Sequence, residues 1–293
     1  MKESAKISFI GAGKVGISVA YLLKKSGYNI IGISSRSISS AQKASDFIGG
    51  ATYTNDILMF VEDADIVFIT TNDDAIKLVV EKILENCQIK KGQIFIHTSG
   101  SVSSKVFSPL EELGAYGLSI HPLQTIANPS EGIRNISGSL FAIDGNEKAF
   151  DIARKIVAAL DGVPFIIESE KKSLYHLSAV VACNYFVTLM DLGTNLMKLV
   201  NIDEKLATEG LIKLVKGTLN NIEKLGTVDA LTGPISRGDI ETIKDHIKAI
   251  RKYSPHTMLL YKVLGQYTTD LAIKKGSLEK DKAKKILEIL EKF

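Results

Sequence analysis

Two histidines in this sequence stand where proton chemistry is easy to imagine. His121 follows the short apolar run Tyr116–Ile120, within Ser119-Ile-His-Pro-Leu-Gln-Thr125. Pro122 stiffens the chain behind it and disfavours helix at His121. An imidazole held at such a strand end can take or give a proton near neutral pH. His176 lies in Ser173-Leu-Tyr-His-Leu-Ser-Ala-Val-Val-Ala-Cys-Asn184, which reads as helix. At about 100° per residue, Lys172 and His176 are about 40° apart and His176 and Asn184 about 80°, so polar groups share one side of an otherwise apolar helix. Asn184 needs hydrogen-bond partners if it is buried, which makes it a candidate for orienting a substrate. In Leu231-Thr-Gly-Pro-Ile-Ser-Arg-Gly-Asp239, Arg237 is suited to a carboxylate, whereas Asp239 reads better as the N-cap of the next helix. Ser101, in Thr98-Ser99-Gly100-Ser101, completes the candidate catalytic set.

A second constellation points to a nucleotide. Gly11, Ala12, Gly13, Lys14, Val15 and Gly16 form a G-x-G-x-x-G run between an apolar strand and a helical stretch. Gly11 permits the tight turn, Gly13 lets backbone approach a pyrophosphate, and Gly16 lets helix pack on strand. The helix N-terminus then offers free N–H groups and partial positive charge to phosphates. An NAD site places Asp or Glu about 20 residues past the glycines to hold the ribose 2′-hydroxyl. Here Ser34, Ser35, Arg36 and Ser37 occupy that stretch, and no acid lies between Gly16 and Asp46. A guanidinium and hydroxyls suit a 2′-phosphate that a carboxylate would repel, so NADP(H) is the expected cofactor. The same loop also suits a deazaflavin. Ligands of parallel sheets sit outside the carboxyl ends of the strands. Thr70, Thr71 and Asn72, and then Ser99 and Gly100, follow two such strands and are expected to line the cofactor cleft, although Asn72 also reads as a helix cap.

The elements that must carry these residues alternate through the first half. Strands are expected at Lys6–Ile10, Asn29–Ser34, Asp65–Thr70, Gln93–His97, Tyr116–Ile120, Leu140–Ile143 and Pro164–Ile167, and helices at Lys14–Ser26, Ser39–Phe47 and Glu147–Leu160. Continuous apolar strands alternating with helices predict an α/β, doubly wound Rossmann-like parallel sheet. After Glu168 no strand is convincing. Ser169–Val200 reads as one long helix, apolar nearly all round and so expected to be buried, followed by helices at Asp203–Leu225, Ile240–Ile250, His256–Lys275 and Leu278–Lys292. This predicts an NADP-binding domain over 1–168 and an all-helical substrate and dimerisation domain over 169–293, with a homodimer supplying cover for the long helix, the alternative being a monomer whose own helices suffice.

Composition narrows the class. With 45% hydrophobic and 24% charged residues in 293, the chain is neither disordered nor polyanion-directed, and a net charge of +3 gives no case for nucleic acid. The lysines between Lys274 and Lys292 interleave with Glu279, Asp281, Glu288 and Glu291, as on a solvated helix. Two cysteines and five histidines without clustering suggest neither a disulfide framework nor a metal site. The opening Met-Lys-Glu-Ser-Ala-Lys runs straight into a strand, and no apolar run approaches the roughly 20 residues of a membrane span, so a cytoplasmic protein is expected.

Taken together, GAGKVG, HTSGS, IHPLQT, LYHLSAVVACNY and LTGPISRGD, spread from residue 11 to 239, resemble a family of NADP-dependent oxidoreductases of unassigned substrate. Its members join an N-terminal Rossmann-like domain to an uncharacterised C-terminal helical domain. More distantly, the layout is similar to pyrroline-carboxylate reductase, 3-hydroxyisobutyrate dehydrogenase and prephenate dehydrogenase. Likeness to the last implies that His121 and His176 lie near the nicotinamide. Asn184 matches an asparagine of the hydroxyacid enzymes, but Val180 stands where their lysine would be. The expected activity is a dehydrogenase or reductase for a keto acid, hydroxy acid or imine. The alternative is a non-catalytic NADP(H) sensor or scaffold, since one fold hosts many functions.

Overall fold

The computed structural model describes residues 5–292. Met1–Ser4, part of the stretch read as leaderless, lie outside that range. The chain divides into two compact units, Met1–Ala182 and Cys183–Phe293.

The first unit carries an eight-stranded sheet in the order β3-β2-β1-β4-β5-β6-β7-β8. Its strands are β1 (Lys6–Ile10), β2 (Asn29–Ser34), β3 (Thr52–Thr54), β4 (Ile66–Ile69), β5 (Ile94–His97), β6 (Tyr116–Pro122), β7 (Leu140–Gly145) and β8 (Val163–Ile166). The helices are α1 (Lys14–Lys25), α2 (Ile38–Phe47), α3 (Asp73–Asn86), α4 (Ser108–Glu112), α5 (Pro129–Ile136), α6 (Phe150–Ala159) and α7 (Lys172–Ala179). All neighbouring strands pair parallel except β6 and β7. The sequence therefore predicted the parallel sheet correctly in the main, but the antiparallel joint was not foreseen.

Burial on both faces explains why the strands are so apolar. One face packs Phe9, Phe68 and Ile96 against Val19 and Leu23 of α1, Ile136 of α5 and Ile156 of α6. The other packs Val67, Ile69 and Phe95 against Ile76, Val79 and Ile83 of α3 and Leu110 of α4. Each such side chain contributes roughly 1.5–3 kcal/mol by leaving water, so the strand register is firmly set. Strand order reverses between β1 and β4. That switch point is where a doubly wound sheet opens a crevice beyond its carboxyl ends.

The second unit is helical: α8 (Tyr185–Lys198), α9 (Glu204–Asp229), α10 (Pro234–Arg237), α11 (Ile240–Tyr253), α12 (Met258–Lys275) and α13 (Lys280–Glu291). Ile235, Ile243, Ile247, Leu278, Ile286 and Leu290 form its small core. A π-helical turn, Val180–Asn184, joins α7 to α8. Helix Ser169–Lys198 is thus continuous, as its periodicity predicted, but it is not buried. Only 6% of its most apolar window is covered, and Leu174, Val181 and Val187 are 68%, 53% and 67% exposed. The apolar girth that implied burial is real; the chain alone provides too little to pack over it. By length and composition alone this helix could cross a membrane, which corrects the expectation that no stretch was long enough. Isolated polar residues such as Asn184 and Thr188 break the run in sequence without ending the helix.

Candidate functional site

The glycine turn after β1 is built against the end of β4. Gly11 has φ 108°, and a Cβ there would stand 2.7 Å from the Thr70 carbonyl. Its N–H donates to the Ser34 carbonyl at 2.8 Å, tying the turn to β2. A side chain on Gly16 would overlap the Thr70 side chain, whose hydroxyl donates to the Gly11 carbonyl at 2.9 Å. Gly13 caps α1 with no side-chain hydrogen bond, so the first-turn N–H groups remain available to a ligand.

Two clefts meet over this turn. One, of about 360 Å³, is lined by Gly11, Ala12, Gly13, Ser35, Arg36, Ser40 and Lys82. The other, of about 560 Å³, is lined by Lys14, Val15, Asp73, Ser99, Gly100 and His121. Gly13, Thr70, Thr71 and Asn72 belong to both, so the two form halves of one groove across the switch point. Ser34 is a correction. Its hydroxyl turns into the sheet, toward the carbonyls of Phe9 and Ile57, and is 1% exposed, so it has no hydrogen left for a phosphate. Ser40 and Lys82 were not foreseen. Lys82 comes from α3, a helix the sequence reading did not name although Ile76, Val79, Val80 and Ile83 carry its period.

At the other end of the groove the two histidines converge on Gly100. A Cβ at Gly100 would lie 2.7 Å from His121 Nε2 and 2.7 Å from His176 Cδ2. Their ring centroids are 6.4 Å apart. His121 Nδ1 is 2.8 Å from the Tyr175 hydroxyl. Burial, then the Lys172 ammonium and the neighbouring His176, push His121 down to about 4, so its ring is neutral at pH 7. Burial also pushes the Tyr175 phenol up to about 12.

Beneath the histidines lies a feature that the sequence reading missed. His97 on β5, Ser119 on β6 and Asp144 on β7 are in register across three strands, so their side chains share one face. All three are 0% exposed. Lys172, at the start of α7 and 1% exposed, places its ammonium on this row, 2.5 Å from Asp144 Oδ1 and in contact with the Ser119 hydroxyl. Asp144 also accepts from the Ser104 N–H at 2.9 Å and the Ser169 hydroxyl at 3.0 Å. Although burial opposes it, the ammonium and these donors hold the Asp144 carboxyl below its usual range. His97 accepts from the Ser99 N–H at 3.2 Å, and its Nε2, with the Ser103 carbonyl nearby, makes no hydrogen bond of good geometry. An acid inside the apolar strand Leu140–Gly145 was the one available signal. Burying a carboxylate there demands a cation.

The remaining candidates are dispersed. The Ser101 hydroxyl is engaged with Asp73 at 2.6 Å. Asn184 ends the π turn and is exposed, so the reasoning from a buried amide does not hold for the single chain. The wider turn also breaks the 100° spacing that related it to His176. Arg237 ends α10 in the second unit and is exposed, while Asp239 caps α11 by accepting from the Thr242 N–H at 3.1 Å.

Residues 2–122 match a Rossmann-like domain family, and residues 139–268 match a domain of unknown function, DUF2520. Protein TM1727 from Thermotoga maritima is 30% identical, with TM-score 0.73, over 92% of this chain and 99% of that one. A candidate NADP oxidoreductase from Bacteroides fragilis superposes with TM-score 0.74 at 24% identity, over 92% of this chain and 100% of that one. A pyrroline-5-carboxylate reductase from Coxiella burnetii shares the fold at TM-score 0.56 and 18% identity, over 93% and 98%. No curated protein matches the sequence. The glycine turn on a switch-point crevice, continued into a helical unit, and the likeness to TM1727 along nearly its whole length agree: the chain belongs to the family that couples a Rossmann-like domain to DUF2520.

Proposed function

We propose that this protein is an NADP(H)-dependent oxidoreductase acting on a small keto acid, hydroxy acid or imine. The observation that carries the reading is Arg36, which lines the same groove as the glycine turn at a position where no acid competes. The turn fits the cofactor: Gly11 and Gly16 sit so close to Thr70 that a Cβ on either would collide with it and push the turn out of place, and free N–H groups at the start of α1 would face the phosphates. Arg36, with Ser35, Ser40 and Lys82 around it, would hold the 2′-phosphate. Thr71, Asn72 and Ser99 would border the ribose and nicotinamide. When bound, the cofactor supplies or accepts hydride. His121 then presents Nε2 toward Gly100, where a substrate oxygen or nitrogen would receive a hydrogen bond, and His176 closes the other side. The Bacteroides fragilis and Coxiella burnetii proteins are named for chemistry of this class, which supports it. Convergence of two imidazoles on one glycine favours an enzyme over a sensor. Calorimetric titration should show tight NADPH binding, and Arg36→Ala should weaken it about 10–100-fold, equivalent to about 1.4–2.8 kcal/mol, with NADH affinity nearly unchanged. Equal loss for both nucleotides would refute the 2′-phosphate assignment.

The exposed apolar side of Ser169–Lys198 is read as the seat of a second copy of this chain. In sedimentation the wild type should run as a dimer without detergent, and Val187→Glu, placing charge on a residue 67% exposed, should run as a monomer. A wild type that needs detergent to stay dispersed would instead favour a membrane.

A further inference from the structure

We propose that Tyr175 and His121 form a two-residue proton wire that joins two grooves of the first unit and delivers the proton for the reaction proposed above. The cofactor cleft contains His121. A separate groove of about 810 Å³, sharing no lining residue with that cleft, contains Tyr175 together with Ile166, Glu168, Ser169, Leu174 and Ser178. The 2.8 Å contact between the Tyr175 hydroxyl and His121 Nδ1 therefore joins a residue of one groove to a residue of the other. Phe165 packs edge-on against the Tyr175 ring at 5.8 Å and fixes its direction.

The charge environment sets the direction of the bond. The groups acting on His121 are Lys172, Tyr175 and His176 from α7 and Asp73 from α3, with His97 on the same sheet face from β5. Burial first, and then the Lys172 ammonium and the second imidazole, oppose a positive His121, so the ring carries one proton. Tyr175 keeps its own proton, and Nδ1 is the hydroxyl's sole hydrogen-bond partner among the described residues. In the proposed wire the phenol is the donor to Nδ1, which places the imidazole proton on Nε2, facing Gly100.

The step balances. A substrate C=O or C=N carbon accepts hydride from a reduced nicotinamide dinucleotide, and the π pair moves to the oxygen or nitrogen. That atom takes the proton from Nε2, whose N–H electrons stay in the ring. Nδ1 takes the phenolic proton, water reaching the Tyr175 groove reprotonates the phenolate with its hydroxide passing to bulk solvent, and proton exchange with solvent then returns the imidazole to the Nε2–H tautomer.

The test does not require turnover. Nitrogen-15 imidazole spectra of the full chain, with and without NADPH, should show His121 neutral at pH 7, protonated at Nε2, with Nδ1 an accepting nitrogen. Tyr175→Phe keeps the ring and its packing but removes the hydroxyl. It should abolish the hydrogen-bond shift of Nδ1 while NADPH affinity stays within about twofold. A wild type protonated at Nδ1, or an unchanged Nδ1 signal in Tyr175→Phe, would overturn the wire. Failure of NADPH to bind while the imidazole signals behave as expected would instead remove the cofactor reading and leave the wire standing.

Discussion

The two units bury very different polar groups. Within the first, His97, Ser119, Asp144 and Lys172 are all out of water, and the last two are charged. Among its described residues, the second buries hydroxyls as its only polar side chains: Thr194, Ser236, Ser254, Thr257 and Thr269. Those hydroxyls are easily satisfied. Thr269 donates to the Gly265 carbonyl one turn back at 2.8 Å, and Thr257 to the Ser254 carbonyl at 2.9 Å. Ion pairs wholly within the second unit, such as Lys244–Glu241 and Lys248–Asp245, are exposed, so water screens them and they contribute little. Removing a charge from water, by contrast, costs several kcal/mol that mutual attraction offsets only with good geometry. A fold has no need of such a pair, so its position carries information. It lies directly under the imidazoles.

The polar row that this pair completes crosses a boundary that sequence families draw. Asp144 and Lys172 fall within the DUF2520 match, while His97, Ser119 and His121 fall within the Rossmann-like match. The two segments meet where β7 pairs antiparallel with β6, with Ser119 opposite Asp144. The region of unknown function thus supplies one side of the polar row and completes the sheet of its neighbour.

The contrast between units is most severely tested by Lys172→Met. Leaving Asp144 buried without its cation should cost about 3–5 kcal/mol in chemical denaturation. Pairing that change with Asp144→Leu removes both charges and should recover most of the loss. Lys248→Ala, which breaks an exposed pair, should change little. Equal effects for Lys172→Met and Lys248→Ala would dissolve the comparison.

Acid gives a second and somewhat smaller effect. Burial, with Lys172 adding to it, pushes His97 down to about 4 from the 6.5 of a free imidazole. Below pH 6.5 the unfolded chain takes up a proton that the folded protein refuses. Stability contributed by this residue is therefore complete above 6.5 and declines as pH falls toward 4, by about 3 kcal/mol in all. His97→Gln should flatten the stability profile across that window; a slope unchanged by the substitution would show that His97 is not the group responsible.

Much of the sheet was legible because its strands are buried on both faces. Such strands read as unbroken apolar runs, and Lys6–Ile10 and Asn29–Ser34 lie where those runs predicted. Thr52–Thr54 was not legible: three residues with an exposed tyrosine leave no pattern. The glycine turn was readable because each glycine answers a local steric demand. Lys172 and Asp144 were not, since nothing across a separation of 28 residues marks two common charges as partners until the register of β6 and β7 is known. Asn184 misled for a related reason: a helical wheel assumes an unbroken α-helix, and a π turn intervenes.

The smallest effect is expected at the loop where the sequence left a choice between binding and capping. Asp239 accepts from the Thr242 N–H at 3.1 Å and from its hydroxyl at 2.8 Å, and these bonds hold its carboxyl below the usual range. Both contacts are local to the first turn of α11, as an N-cap requires. Asp239→Ala should lower the Tm by about 2–4 °C and leave NADPH affinity unchanged, whereas Asp239→Asn, which keeps an accepting oxygen, should retain most of the stability. If Asp239→Ala weakened NADPH binding severalfold at unchanged Tm, this loop would belong to the binding machinery, and the contrast between a unit that buries charge and a unit that buries only hydroxyls among its described polar side chains would no longer mark where the cofactor is held.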